Sequence, residues 1–328
     1  MQNFKLIDKR TIELTNGLFT GVESYSCYQN GELEGVKLAE RNILVTHLGE
    51  LVPAYTETHR RKNKFSVEFY RTGTLRQIAL NEVQDVSTPL GDLPAELVNF
   101  YYTGELRRVF PLDGQISGMW TEQEERALAI PITFDLPFAE FTAAVVEVAF
   151  HKEGTIRSIT LFPGETVPVN TTFGEVKTRI GFSLYETGQL RSVEPSVPVV
   201  VQTPIGEFTA FDPNAPGVIA ELNSLEFDED GALVSLITIH NSVTVKTADK
   251  QIFKFSPRDI TNPLDGESKI TEGLKISFDF STNMVTFIEH IDGTDFPLYD
   301  SEFTVSPYTP SVFKCPSADC SGCSLDCK

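Results

Sequence analysis

One recurring phrase limits this chain to few architectures: an aromatic residue, a Gly three or four positions later, then a polar residue, an aliphatic one and, in most copies, Arg. It appears as Tyr28 to Leu33 around Gly31, Phe69-Tyr70 to Arg76 around Gly73, and Phe100-Tyr101 to Arg107 around Gly104. Three further copies are Phe150-His151 to Arg157 around Gly154, Leu184-Tyr185 to Arg191 around Gly188, and Phe227 to Leu233 around Gly231. A repeated unit of this size sets the architecture before any local propensity does.

A second phrase follows the first. Thr46 to Gly49, Thr88 to Gly91 and Thr203 to Gly206 each end 18 residues after the Gly of the preceding aromatic phrase. Thr171 to Gly174 follows Gly154 by 20, and Asp249 stands at the equivalent place after Gly231. The repeating unit is therefore a pair of hairpins. Asn30-Gly31 and Asp230-Gly231 are dipeptides that accept the positive φ of tight hairpin turns, with Thr-Gly and Glu-Gly replacing them elsewhere.

The flanking segments, such as Phe65–Phe69, Val199–Thr203 and Val243–Thr247, are short and rich in β-branched and aromatic residues. Beyond the turn, aliphatics fall two and five residues after the Gly, as in Leu75 and Ile78 or Leu106 and Val109. That break in alternation predicts a β-bulge just past each turn. Thr121 and Glu124 form a capping-box pattern for a short helix after Trp120. The expected fold is all-β: an irregular array of stacked β-hairpins in an open or solenoidal antiparallel sheet, with one short helical insertion. The repeat domain is expected over 1–300, a Pro-containing linker over 301–310 and a Cys-rich tail over 311–328. Past about residue 250 the phrases decay, with the turn Phe280–Asn283 the last recognisable copy.

At Tyr70-Arg71-Thr72-Gly73-Thr74-Leu75 and Tyr185-Glu186-Thr187-Gly188-Gln189-Leu190 the chain resembles the bacterial variant of MORN-type repeats, some members of which carry an antitoxin label. The interleaved Thr phrase and the uneven spacing depart from that simple tandem pattern. The resemblance implies an extended β-sheet scaffold and brings no activity with it.

Charge narrows the partners. With 27 Lys and Arg against 46 Asp and Glu, the formal net charge is −19. Phosphate binding is driven by cations that displace counterions, so nucleic acid is excluded as the main partner and an anionic membrane is disfavoured. The one dense basic run, His59 to Lys64, reads as a solvated loop. The N-terminus has no apolar signal core, and no apolar run approaches a membrane span. The expected compartment is the cytoplasm, where thiols stay reduced. An open sheet edge would allow a homodimer by strand pairing.

Two sets of residues carry candidate chemistry. Cys315, Cys320, Cys323 and Cys327 place four thiols in a short tail. Thiolates at this spacing suit an iron–sulfur cluster or zinc, and Gly322 with the neighbouring serines would let the backbone wrap the metal. Arg76, Arg107, Arg157 and Arg191, each three past its Gly, would share a face if the hairpins stack. Such a ladder either grips carboxylates or phosphates or pairs with neighbouring acids such as Glu105, Glu186 and Glu194. Cys27, in a predicted strand, reads as a small buried side chain. The per-repeat aromatics Phe69, Phe100, Phe150 and Phe227, with Leu184, read as stacked core.

The five histidines show no metalloprotease spacing, and neither a nucleophile elbow nor a P-loop is present. The leading expectation is thus a non-catalytic scaffold that binds an unknown protein partner. The alternatives are a redox or electron-transfer accessory protein with an iron–sulfur cluster, and a surface-sugar-related enzyme with carboxylates assembled from several repeats.

Overall fold

The computed structural model describes residues 4–14, 17–215, 220–221, 223–263, 265–289 and 292–309. The protein is built almost wholly of antiparallel hairpins, with the single short helix Glu122–Arg126 among the described residues. The chain forms two compact units, one from Met1–Val167 with Ile180–Gln189, the other from Pro168–Arg179 with Leu190–Lys328. The repeat region expected as one domain over 1–300 is thus shared between two units, and one of the three chain boundaries between them falls inside the strand Gly174–Leu184.

In the first unit the aromatic-phrase hairpins lie side by side. Strands Val22–Cys27, Leu33–Leu38, Val67–Phe69, Leu75–Thr88, Gly91–Phe100, Leu106–Phe110, Val145–Phe150 and Ile156–Leu161 follow in that order, and residues 181–183 pair beyond the last. The register stacks one apolar residue per strand. Val36, Val67, Ile78, Val98, Val109, Val148, Ile159 and Phe182 are successive cross-strand partners, and every one is 0% exposed. The neighbouring register position, on the opposite face because side chains alternate, is mostly polar: Glu68, Gln77, Asn99, Arg108, Ala149, Ser158 and Ser183.

The second unit repeats this plan over Leu190–Pro195, Leu225–Phe227, Leu233–Thr238, Leu274–Asp279, Met284–Glu289 and Asp292–Pro297. Its apolar row is Val193, Leu225, Leu236, Ile276 and Phe287, and its polar row runs from Ser192 through Glu226, Ser235, Ser277 and Thr286 to Asp295. The outer strand carries Asp292, Asp295 and Pro297, residues that discourage further strand pairing. Residues 301–307, expected as linker, form the strand Ser301–Pro307, which pairs along its whole length with Asn241–Thr247.

Each feature of the repeat has a local cause. In the aromatic phrase Gly73 N–H bonds Tyr70 O at 2.8 Å while Tyr70 N–H bonds Thr74 O, and Gly73 sits at φ 85. A type I turn followed by a left-handed Gly is the three-residue hairpin loop in which a Cβ would be strained. Phe69 faces Leu75 but Glu68 faces Gln77, so one residue is extra, and the same shift follows the turns at Gly104, Gly154 and Gly231. This is the expected bulge, and it restores the inward phase of Ile78 and its equivalents. Phe69, Phe100, Phe150, Leu184 and Phe227 are all buried, as core.

In four copies the residue three before the turn Gly ties neighbouring repeats together. Tyr28 Oη donates to Phe69 O, Tyr70 Oη to Phe100 O and Tyr101 Oη to Phe150 O, each at 2.8 Å. His151 takes the same place, with Nε2 3.1 Å from Leu184 O.

The Thr phrases close the second hairpins. Thr46, Thr88, Thr171 and Thr203 each donate Oγ1–H to the carbonyl of the Gly three residues on, at 2.7–3.0 Å. These hairpins cover the apolar rows. Phe141 in Ala139–Ala143 meets Phe182 edge-on at 5.9 Å, and Phe255 in Ile252–Phe255 stacks on Phe287 at 4.7 Å. The hairpin Ile132–Leu136 with Ala139–Ala143 is the second hairpin belonging to Gly104. Its turn lacks the Thr-x-x-Gly signature, and the helical insertion delays it, so the spacing rule does not find it.

Candidate functional site

The helical insertion is held to the first unit by a buried charge cluster. Thr121 and Glu124 form the expected reciprocal capping box. The next residue, Glu125, turns inward and is 4% exposed. Arg60, 8% exposed, lies between two carboxylates. Its Nη1 and Nη2 donate to the two oxygens of Glu96 at 2.8 and 2.7 Å, and its Nε and Nη2 to those of Glu125 at 2.6 and 2.7 Å. Backbone N–H groups of Asp113 and Gly114 complete Glu96 and Glu125 at 2.8 Å each, and Trp120 Nε1–H adds 2.6 Å to Glu125. Glu96 is available because it sits at a register break between Ala95 and Leu97.

The basic run read as a solvated loop is therefore corrected: Arg60 is buried, and Arg61 donates to Leu80 O and Asn81 O. Its charge is matched by carboxylates 36 and 65 residues away, a separation no local pattern reveals. Burial works against the charge on Arg60, but the hydrogen bonds it donates to Glu96 and Glu125 outweigh it and hold the guanidinium more firmly protonated than usual. Burial likewise opposes ionisation of Glu125, and the bonds from Arg60 and Trp120 more than offset it. Beside the cluster, Asp113 is pushed up to about 6, chiefly by burial, against the bond it accepts from Asn63.

This anchor fixes a segment whose apolar side chains face solvent. Ile116, Met119, Leu128 and Ile130 are 56%, 77%, 47% and 58% exposed. Trp120 is positioned from both sides, by the Glu125 bond and by His59, whose ring meets it edge-on at 5.5 Å. Large apolar groups held out on a rigid support are suited to docking rather than to chemistry.

The second unit contains a different polar cluster. Glu194, 0% exposed, accepts Ser224 N–H at 2.7 Å and Ser224 Oγ–H at 3.0 Å. Arg179 approaches it at 3.5 Å and gives two hydrogen bonds to backbone, Nη2 to Asp212 O at 2.6 Å and Nε to Pro195 O at 3.1 Å. Its guanidinium also lies 5.3 Å from the Phe211 ring. The next residue, Ile180, adopts φ 62, a left-handed conformation that is costly for a β-branched side chain. Glu194 is pushed up to about 7 by burial, despite Ser224 and Arg179. Asp212 is raised by the same cause. A cavity of about 150 Å³ opens beside these groups, lined also by Asn223, Glu226, Ile237 and Lys275.

The sequence-predicted residues lie elsewhere. Cys315, Cys320, Cys323 and Cys327 fall outside the described residues. Among the described residues no group of three or more His, Cys, Asp or Glu converges to hold a metal. Arg76, Arg107 and Arg157 are the extra residues of the bulges, so they have no cross-strand opposite. Arg76 is exposed and 3.6 Å from Glu68, Arg107 lies half-buried over Tyr101, Arg157 is half-buried and Arg191 exposed. Of the acids expected beside them, Glu194 is instead the buried partner of Arg179, and Glu186 lies 3.9 Å from His151. Cys27 is exposed, not buried, on the strand Val22–Cys27, which among the described residues is the outermost of its sheet. No helix among the described residues is long and apolar enough to cross a membrane.

No protein-family model, curated protein or solved structure matches the chain.

Proposed function

We propose that the protein is a non-catalytic scaffold that binds a protein partner through the insertion between residues 111 and 131. The observation that supports this is the exposure of Ile116, Met119, Leu128 and Ile130 on a segment locked by the Arg60–Glu125–Trp120 contacts. A rigid support lowers the ordering cost of binding. The net charge of −19 favours a partner with a basic rim around an apolar contact. The repeats supply the platform, since their aromatic, Gly and Thr positions are all committed to turns, core and inter-repeat hydrogen bonds.

The test compares the wild type with the double variant Met119→Asp/Ile130→Asp in affinity capture, with thermal melts as the folding control. Both side chains are exposed, so the melting temperature should stay within a degree or two while a partner held by the wild type is lost. Identical captured sets from both proteins would remove the insertion as the binding surface.

The tail thiols extend the same reading. By spacing, Cys315, Cys320, Cys323 and Cys327 suit an iron–sulfur cluster or zinc at the end of the scaffold. Anaerobic purification with metal analysis should return stoichiometric iron or zinc that is lost in Cys320→Ser/Cys323→Ser, and a metal-free wild type overturns it.

A further inference from the structure

We propose that the cavity beside Glu194 in the second unit binds a small organic ammonium ion, with its N–H donors accepted by Asn223 Oδ1 and by the carboxylate of Asp212. A single water needs roughly 10–15 Å³ of such space, so about 150 Å³ holds a ligand of several non-hydrogen atoms. Ala215 and Ile237 give part of the wall an apolar character suited to a carbon skeleton.

Hydrogen-bond supply sets the chemistry. The neutral donors at the cavity are committed, Ser224 N–H and Oγ–H to Glu194, while Lys275 Nζ is drawn to Glu226 at 2.8 Å and Arg179 bonds two backbone carbonyls. Asn223, 5% exposed, donates Nδ2–H to Ser192 Oγ at 2.7 Å and to Ala220 O at 3.0 Å. Because a carbonyl can only accept, the Ala220 contact fixes which end of the amide is nitrogen. Its Oδ1 is left buried with no hydrogen-bond partner. A buried acceptor without a donor is costly and is ordinarily satisfied by something.

Charge points the same way. Three carboxyl groups, Glu194, Asp212 and Glu226, line the cavity with Lys275, and Arg179 stands 3.5 Å from Glu194. An anion would add to the excess and a neutral ligand would leave it. An ammonium group supplies both the positive charge and the missing N–H donors. The inward-turning groups come from three parts of the chain: Glu194 from Leu190–Pro195, Asp212 from the segment after Gly206–Ala210, and Asn223 with Ser224 from the lead-in to Leu225–Phe227.

The test uses three probes of matched size against the full-length protein at neutral pH: ethanolamine as the cation, ethylene glycol as its neutral counterpart and glycolate as the anion. Calorimetric titration of the wild type should show saturable binding of ethanolamine alone, and the melting temperature should rise by a few degrees at saturation. Asp212 Oδ1 accepts Asn214 N–H at 2.9 Å; Asp212→Asn keeps that acceptor and removes the charge, and should weaken ethanolamine about tenfold or more. Absence of saturable ethanolamine binding to the wild type, equal binding of ethylene glycol or glycolate, or unchanged affinity in a folded Asp212→Asn would each overturn the assignment. The wild-type titration decides the matter even if the variant does not fold.

Discussion

Each unit sets an arginine beside a buried carboxylate, Arg60 beside Glu96 and Glu125 and the half-buried Arg179 beside Glu194, and they handle the charge in opposite ways. In the first, Arg60 gives four hydrogen bonds to Glu96 and Glu125, and both carboxylates take further bonds from Trp120 or from backbone N–H groups. In the second, Arg179 spends its bonds on the carbonyls of Pro195 and Asp212 and stands 3.5 Å from Glu194. Burial alone therefore does not mark a structural ion pair. The ratio of donors to acceptors separates a lock, where every group is matched, from a cluster that retains unspent acceptors and a cavity.

The largest effect is expected from Arg60→Met. Removing one partner of a buried charge cluster leaves Glu96 and Glu125 uncompensated and should cost about 3–5 kcal/mol. In urea denaturation Arg179→Met should lose clearly less, because the Arg179 head is partly exposed and bonds neutral carbonyls. Equal losses in the two variants would erase the distinction.

The pH dependence of stability sharpens the comparison. Glu194 ionises at about 7 in the folded protein against an ordinary value of 4.5. The folded state thus binds the proton more tightly than the unfolded one. The stabilisation is complete below about 4.5 and is lost as the pH rises to about 7, by up to about 3 kcal/mol. Glu194→Gln should flatten that slope. Asp113, raised from 3.8 to about 6, acts in the same sense over a lower window, so Asp113→Asn should flatten only the acidic part. A slope in Glu194→Gln as steep as in the wild type would show that Glu194 is not the titrating group.

A smaller effect belongs to the repeat contacts, which involve no buried charge. Tyr101→Phe removes only the bond from its hydroxyl to Phe150 O and should cost about 1 kcal/mol. A loss as large as that of Arg60→Met would mean the repeats, not the charge cluster, hold the first unit together.

Much of the fold was legible because its causes are local. Gly73, Gly104 and Gly154 announce turns, the spacing from Leu75 to Ile78 announces a bulge, and Thr121 with Glu124 announces a helix start. The hairpin around Asp135 to Phe138 was missed because Ala139 stands where its relatives carry Gly. The strand Ser301–Pro307 was missed because its partner, Asn241–Thr247, lies far back in the chain. The polar clusters were harder still. In sequence Arg60 reads as part of a solvated basic run and Glu194 as one of the acids beside the arginine ladder, since nothing near either residue reports the groups it meets.

The sequence by itself determined the hairpins, their glycine turns, their bulges and the aromatic core positions, because each depends on residues within one or two turns of chain. It also set the strong acidity that narrows the partner. Only the tertiary structure decided which charges are buried, how the Tyr28, Tyr70 and Tyr101 hydroxyls link neighbouring repeats, and where a cavity remains. Those depend on contacts between residues tens of positions apart, where burial and the count of hydrogen-bond donors, rather than local pattern, set the energy.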